Sequence, residues 1–244
     1  MPSTGRSKPT VAAGHSNRGS KGCDERGGRG PTGRARQQTQ EVTTEILRVA
    51  RQQVADSGTI VVRQIASAIG ISAAAIYHHV PGLAEIKRQV AFSVDSSVAG
   101  SLGLISREYG EGSLDALVAG SAYLRVWALA HPREFAFTYC GIPDSHGPQT
   151  DDSAVITWII KALEGTDAVH APSVLHELVG SPLFVQYFGL LTLEVAGRLP
   201  AGRATTFNAY WRIFERSETG RSLEQHNLAK LQGIALRYSR AALH

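Results

Sequence analysis

Apolar residues recur at steps of three and four along most of this chain. Val42, Ile46, Val49, Ala50 and Val54 make one stripe, which predicts a helix that starts near Thr39. Asp56-Ser57-Gly58 closes it, because glycine accepts the left-handed conformation a helix C-terminus needs. Val62, Ile65, Ala66 and Ile69 repeat the spacing and stop at Gly70. Ser72 then offers a capping hydroxyl to a third helix from Ala73 to Val80, whose Ile76 and Val80 face inward, and Pro81-Gly82 ends it. Further on, the spacing predicts helices over about residues 83–108, 113–130, 132–140, 151–164, 172–198 and 203–216, punctuated by prolines such as Pro132, Pro172 and Pro200. No alternating run is long enough for a strand, so the expected fold class is all-α.

The second and third helices, joined by Gly70-Ile71-Ser72, have the form of a helix-turn-helix, with Ala66 small enough for a close crossing. Such a pair can present the face from Ala73 to His79 to a DNA major groove, which is wide enough to admit a helix. A short helical hairpin of this kind also occurs as plain core packing.

Charge divides the chain unevenly. Of 25 lysines and arginines, eight fall in the first 39 residues, against two of the 21 acidic residues. That stretch therefore carries +6 and the rest of the chain −2. It is rich in glycine, serine and proline and has almost nothing to bury, so residues 1–38 are expected to form a disordered basic arm. By itself such an arm is either a solubilising tail or a polyanion-binding one. Two cysteines, Cys23 and Cys140, are too few for a disulfide framework or a four-thiolate zinc site, which fits a reducing compartment. The longest uncharged run, Leu178 to Leu193, is shorter than a membrane span and contains Pro182 and Gln186, and no signal-peptide core follows the basic N-terminus. The expected location is the cytoplasm.

The run Ile65-Ala66-Ser67-Ala68-Ile69-Gly70-Ile71-Ser72-Ala73-Ala74-Ala75-Ile76-Tyr77-His78-His79-Val80 resembles the DNA-binding domain of the tetracycline-repressor (TetR) family of bacterial regulators. The resemblance covers about residues 40–92 and implies a helical protein with a helix-turn-helix domain over 39–92. It also implies that Tyr77 and His79 touch phosphates while Ala73, Ala74, Ala75 and His78 lie against base edges. The sequence departs from the family at Leu83, where a lysine usually contacts phosphate, leaving Lys87 or Arg88 as substitutes. It departs again at Val61, where a capping Thr or Ser is common. Three alanines offer thymine-methyl contacts and no hydrogen bonds, so direct readout is thin. Arg34 and Arg36, just before the first helix, are candidates to reach a groove, as homeodomain arms do.

Residues 93–216 hold most of the aromatics. Tyr123 to Phe135 and Phe184 to Gly197 look like the ligand-binding domain of one branch of the same family, in which a tryptophan and a His-Gly pair precede a Leu-Glu step. Phe184 and Phe188 occupy the tryptophan and histidine slots here, which implies a more apolar pocket. Single aromatics usually pack cores. As a pocket lining, Trp127, Phe137, Tyr139, Trp158, Phe184 and Phe188 are the candidates, and a small hydrophobic or aromatic molecule is the implied ligand. Segments 182–198 and 203–216 are apolar on more than one face, with Gly189, Ala196 and Gly197 permitting close approach. Such helices are buried within one subunit or paired across a homodimer, and the family supplies a four-helix dimer interface. Residues 217–244 form a C-terminal tail whose Leu223, Leu228, Leu231 and Leu236 suit a terminal helix.

No nucleophile elbow, phosphate-binding loop or dinucleotide fingerprint occurs, and the histidines lack metal-ligand spacing, so neither an enzyme, a metal nor a cofactor is expected. The expected function is a ligand-responsive transcriptional regulator, a repressor that binds a pseudo-palindromic operator in double-stranded DNA as a homodimer. The alternative is a DNA-organising protein that binds without a small ligand.

Overall fold

A computed structural model describes residues 33–140, 153–164, 182–199 and 203–241. Among these residues every regular element is a helix, and the all-α expectation holds. In chain order they are α1 (Gly33–Ser57), α2 (Val62–Ile69), α3 (Ala73–His79), α4 (Leu83–Tyr109), α5 (Leu114–Ala130), α6 (Pro132–Tyr139), α7 (Ala154–Glu164), α8 (Pro182–Val195), α9 (Arg203–Arg216), α10 (Glu218–Arg221) and α11 (Gln225–Ala241).

Two hydrophobic cores organise them. The first holds Ile46, Val54, Ile65, Ile76, Val80, Ile86 and Val90, so the stripes of α1, α2 and α3 converge on the start of α4. The second gathers Val98, Leu102 and Ile105 from α4 with Leu117 and Leu124 of α5, Phe135 of α6, Val155 of α7 and Leu191 of α8. Helix α4 runs unbroken through both, and the division expected at 92/93 falls inside it. Its first turns belong to one core and its later turns to the other.

Two local differences from the spacing have physical reasons. Helix α1 begins at Gly33, six residues ahead of Thr39, because Arg34 to Gln40 is composed largely of good helix formers. Arg34 and Arg36 therefore lie on a helix and not on an extended arm, while residues 1–32 fall outside the described ones. Helix α11 is no mere tail: it packs along α5, and Leu231, Ile234 and Ala235 are buried in the second core. Helix α8 is described from Pro182, so residues 172–181 of the expected element lie outside the described ones.

Candidate functional site

The helix-turn-helix is built from its punctuation. Gly70 adopts φ 73° and ψ 28°, a left-handed conformation that only glycine takes cheaply, and its N–H returns to the Ala66 carbonyl. The Ile71 N–H bonds the same carbonyl at 3.0 Å. Two residues on, the Ser72 hydroxyl accepts from the Ala75 N–H at 3.1 Å and starts α3. Ile65, Ile76 and Val80 anchor the pair at 0–1% exposure. At the start of α2, Val61 supplies no side-chain cap. Gln53 of α1 takes over part of that task, its amide oxygen accepting from the Val61 N–H at 2.8 Å.

This frame sorts the candidate contact residues. Ala74, Tyr77 and His78 are exposed on α3, and Tyr77 leaves half its surface in solvent. Ala75 is half-buried. Ala73 is partly buried against the first core, so its methyl is shared between core and surface. His79 is half-buried too, and its Nδ1 is buried with no hydrogen-bond partner among the described residues. Leu83 packs against the same core. Of its two substitutes, Arg88 is held by Glu85 in a bidentate pair at 2.7 and 2.8 Å. Hydrogen bonds from Arg88 and Gln89 lower the Glu85 pKa from 4.5 to about 2, so this carboxylate is charged and paired at neutral pH. Lys87, half-buried one residue earlier, makes no ion pair among the described residues. Arg36 and, at the start of α2, Arg63 are exposed. Arg63 is not legible in the sequence, because a lone arginine in an amphipathic helix carries no distinguishing pattern.

In the second core a cavity of about 100 Å³ opens between α5, α7, α8, α9 and α11. Its walls are mainly apolar: Leu117 and Val118, Trp158, Phe184, Trp211 and Phe214. One corner is polar. Arg125 of α5 and Glu194 of α8 form a two-pronged pair, Nε to Oε2 at 2.9 Å and Nη2 to Oε1 at 2.5 Å, with side chains only 10% and 12% exposed. The Tyr210 hydroxyl donates to Glu194 Oε2 at 2.8 Å, and the guanidinium lies 5.2 Å from the Tyr210 ring centre. Burial lowers the Arg125 pKa, but the Glu194 hydrogen bond and charge more than restore it. Burial, then the same carboxylate, pushes the Tyr210 hydroxyl far above the normal tyrosine range. All the phenols here stay protonated donors.

Of the six aromatic candidates for a pocket, Trp158 and Phe184 border this cavity. Trp158 reaches it because α5 carries Gly120 beneath the indole: a Cβ there would lie 2.1 Å from the ring. Gly120→Ala should therefore displace Trp158, costing about 1–3 kcal/mol of stability and shifting tryptophan fluorescence. Unchanged emission and stability would show that α5 and α7 separate freely.

The other four do not border it. Phe137 faces the opposite way, packing from α6 against the first core. Trp127 stacks on His131 at 5.6 Å. Tyr139 donates to Asp95 Oδ1 at 3.0 Å, and Asp95, fully buried, also accepts from Ser153 and the Ala154 N–H. Phe188 lies between Phe184, at 4.8 Å between ring centres, and Phe135 and Tyr139 at 6.3 and 6.2 Å. Spacing alone could not separate these destinations, since all six sit on apolar helix faces.

Helix α6 joins the two cores. Besides Phe137, its buried Glu134 accepts from Arg51 of α1 at 3.0 Å, and Arg133 donates to the Ala55 and Asp56 carbonyls at the end of α1. A cation at those carbonyls satisfies the orphan acceptors of a helix C-terminus. The aromatic chain from Phe184 through Phe188 to Phe135 thus runs from the cavity to an element anchored on α1.

Among the described residues no cluster of His, Cys, Asp or Glu could hold a metal, and no helix is long and apolar enough to cross a membrane. No family model matches the chain, and no curated protein matches it. A solved structure described as "putative regulatory protein SCO4313" is 20% identical, covering 83% of this chain and 97% of that one, at a TM-score of 0.47.

Proposed function

We propose that this protein is a dimeric regulator that binds a pseudo-palindromic site in double-stranded DNA and is released from it by a small apolar ligand. The observation that carries this reading is the capped helix-turn-helix, whose α3 leaves Ala74, Tyr77 and His78 in solvent while Ile76 and Val80 hold it to the core. Tyr77 and His79 then meet phosphates, with Ala73, Ala74, Ala75 and His78 toward base edges. Arg34 and Arg36 approach the duplex from the first turn of α1. A hairpin serving only as packing would have no use for an exposed tyrosine and histidine side by side.

A second copy finds support in α8, where Val185 and Leu193 are about half exposed and a Cβ at Gly189 would meet nothing. Two subunits joined through α8 and α9 would present two recognition helices about a symmetry axis, with half-sites about 34–36 Å apart or a multiple of that. Footprinting of a site selected from random DNA tests this, together with the mass of the protein in solution. A footprint without dyad symmetry, or a monomer at micromolar concentration, overturns the reading. Sequence-indifferent binding would favour the DNA-organising alternative.

Lys87 provides a finer check. As a phosphate contact it carries no sequence information, so Lys87→Ala should weaken specific and nonspecific DNA alike and make the salt dependence shallower by about 0.9 in log–log slope. A loss confined to one sequence would place Lys87 at a base.

The cavity supplies the ligand site, and α6 supplies a contiguous connection to α1. A ligand alters DNA affinity only if it prefers one arrangement of the DNA-binding heads, and DNA must then alter ligand affinity by the same factor. Titrating an apolar ligand with and without operator measures that factor.

A further inference from the structure

We infer that the cavity between α5 and α9 selects neutral molecules with a small apolar body and one carbonyl-type acceptor, which Arg125 Nη1 binds. This deepens the ligand-binding reading above and rests on it. The indole and phenol donors around the cavity are committed elsewhere: Trp158 Nε1 to Ser106 Oγ at 2.6 Å, Trp211 Nε1 to Glu215 at 2.6 Å, the Tyr187 hydroxyl to the Ser121 carbonyl at 2.5 Å, and the Tyr210 hydroxyl to Glu194, which leaves Arg125 as the charged donor on the wall beside the neutral Ser121 hydroxyl. Glu194 occupies Nε and Nη2 of Arg125, and among the described residues Nη1 has no acceptor. A pure hydrocarbon sealing the cavity would strip water from that N–H and return nothing. A carbonyl oxygen restores the bond. A carboxylate is disfavoured, because Glu194 already neutralises the guanidinium and a second anion would share one cation in an apolar enclosure. The volume limits the body to about one small ring, by comparison with a roughly 150 Å³ apolar cavity that holds benzene.

The test uses the full chain and three probes built on one six-membered ring: cyclohexanone, its isosteric hydrocarbon methylenecyclohexane, and the slightly larger cyclohexanecarboxylate, each followed by tryptophan fluorescence and calorimetry. The ketone should bind about 10- to 100-fold more tightly than the hydrocarbon, as expected for a hydrogen bond to a charged donor. The variant Arg125→Met/Glu194→Met/Tyr210→Phe removes the guanidinium, its carboxylate and the phenol that carboxylate holds. It should abolish the preference while still binding the hydrocarbon. Equal ketone and hydrocarbon affinities in the natural protein overturn acceptor selection and leave an apolar site standing. Tightest binding of the carboxylate overturns the neutrality argument. A preference that persists in the triple variant removes Arg125 and points to the Ser121 hydroxyl, and binding of none of the probes sinks the ligand site itself.

Discussion

Arg125→Met alone should lower the free energy of unfolding by about 3–5 kcal/mol, because it strands the Glu194 carboxylate in a site where both partners are nearly buried. The Tyr210 hydroxyl would remain the only donor on that charge among the bonds now seen. Removing all three groups together, as Arg125→Met/Glu194→Met/Tyr210→Phe, should recover most of the loss, since no buried charge or polar group is then left without a partner. The distinction separates an interaction that is costly to break from one that is strongly stabilising, and urea denaturation midpoints of the three proteins measure it. A single variant that loses less than about 1 kcal/mol would mean that water reaches the pair as it does an exposed one.

Removal of residues 1–32 should produce the largest change in DNA binding. That stretch carries Arg6, Lys8, Arg18, Lys21, Arg26 and Arg29 against Asp24 and Glu25, a net +4, and the deletion leaves α1 whole because the helix begins at Gly33. Four phosphates neutralised would carry a log–log salt slope of about −3.6, which is roughly a 150-fold change in affinity between 50 and 200 mM salt. The truncated protein should lose that slope and bind more weakly at low salt, while keeping its preference for operator over other DNA. Fluorescence anisotropy across a salt series reads both quantities. An unaltered slope would make the arm a solubilising segment. Arg34 and Arg36 stay in the truncated protein, so their part is read separately by replacing them with glutamine.

What the sequence determined by itself was local. Helix periods, the Gly70 turn, the Ser72 cap and the inward Ile76 and Val80 follow from contacts between residues no more than four or five apart, and propensity and spacing report such contacts directly. For the same reason the exposed face of α3 was legible: once the inward residues are assigned, the outward ones are what remains. The first turns of α1 are not legible in the spacing, because Arg34 to Gln40 has helix propensity and no apolar stripe to reveal it. Only tertiary structure decided the rest, since each remaining feature joins residues far apart in the chain. Gln53 compensates for Val61 from another helix, and Gly120 makes room for an indole 38 positions away. Arg125 meets Glu194 across 69 residues. Each of those last two is a charge in an otherwise apolar segment, a signal that marks a buried pair without saying what it borders. Trp158, Phe184, Phe137 and Phe188 read alike as apolar positions on helices. Two line the cavity, one packs into the other core and one lies between them, because the crossing of α5, α6 and α8, and not the identity of the side chain, sets what each ring meets.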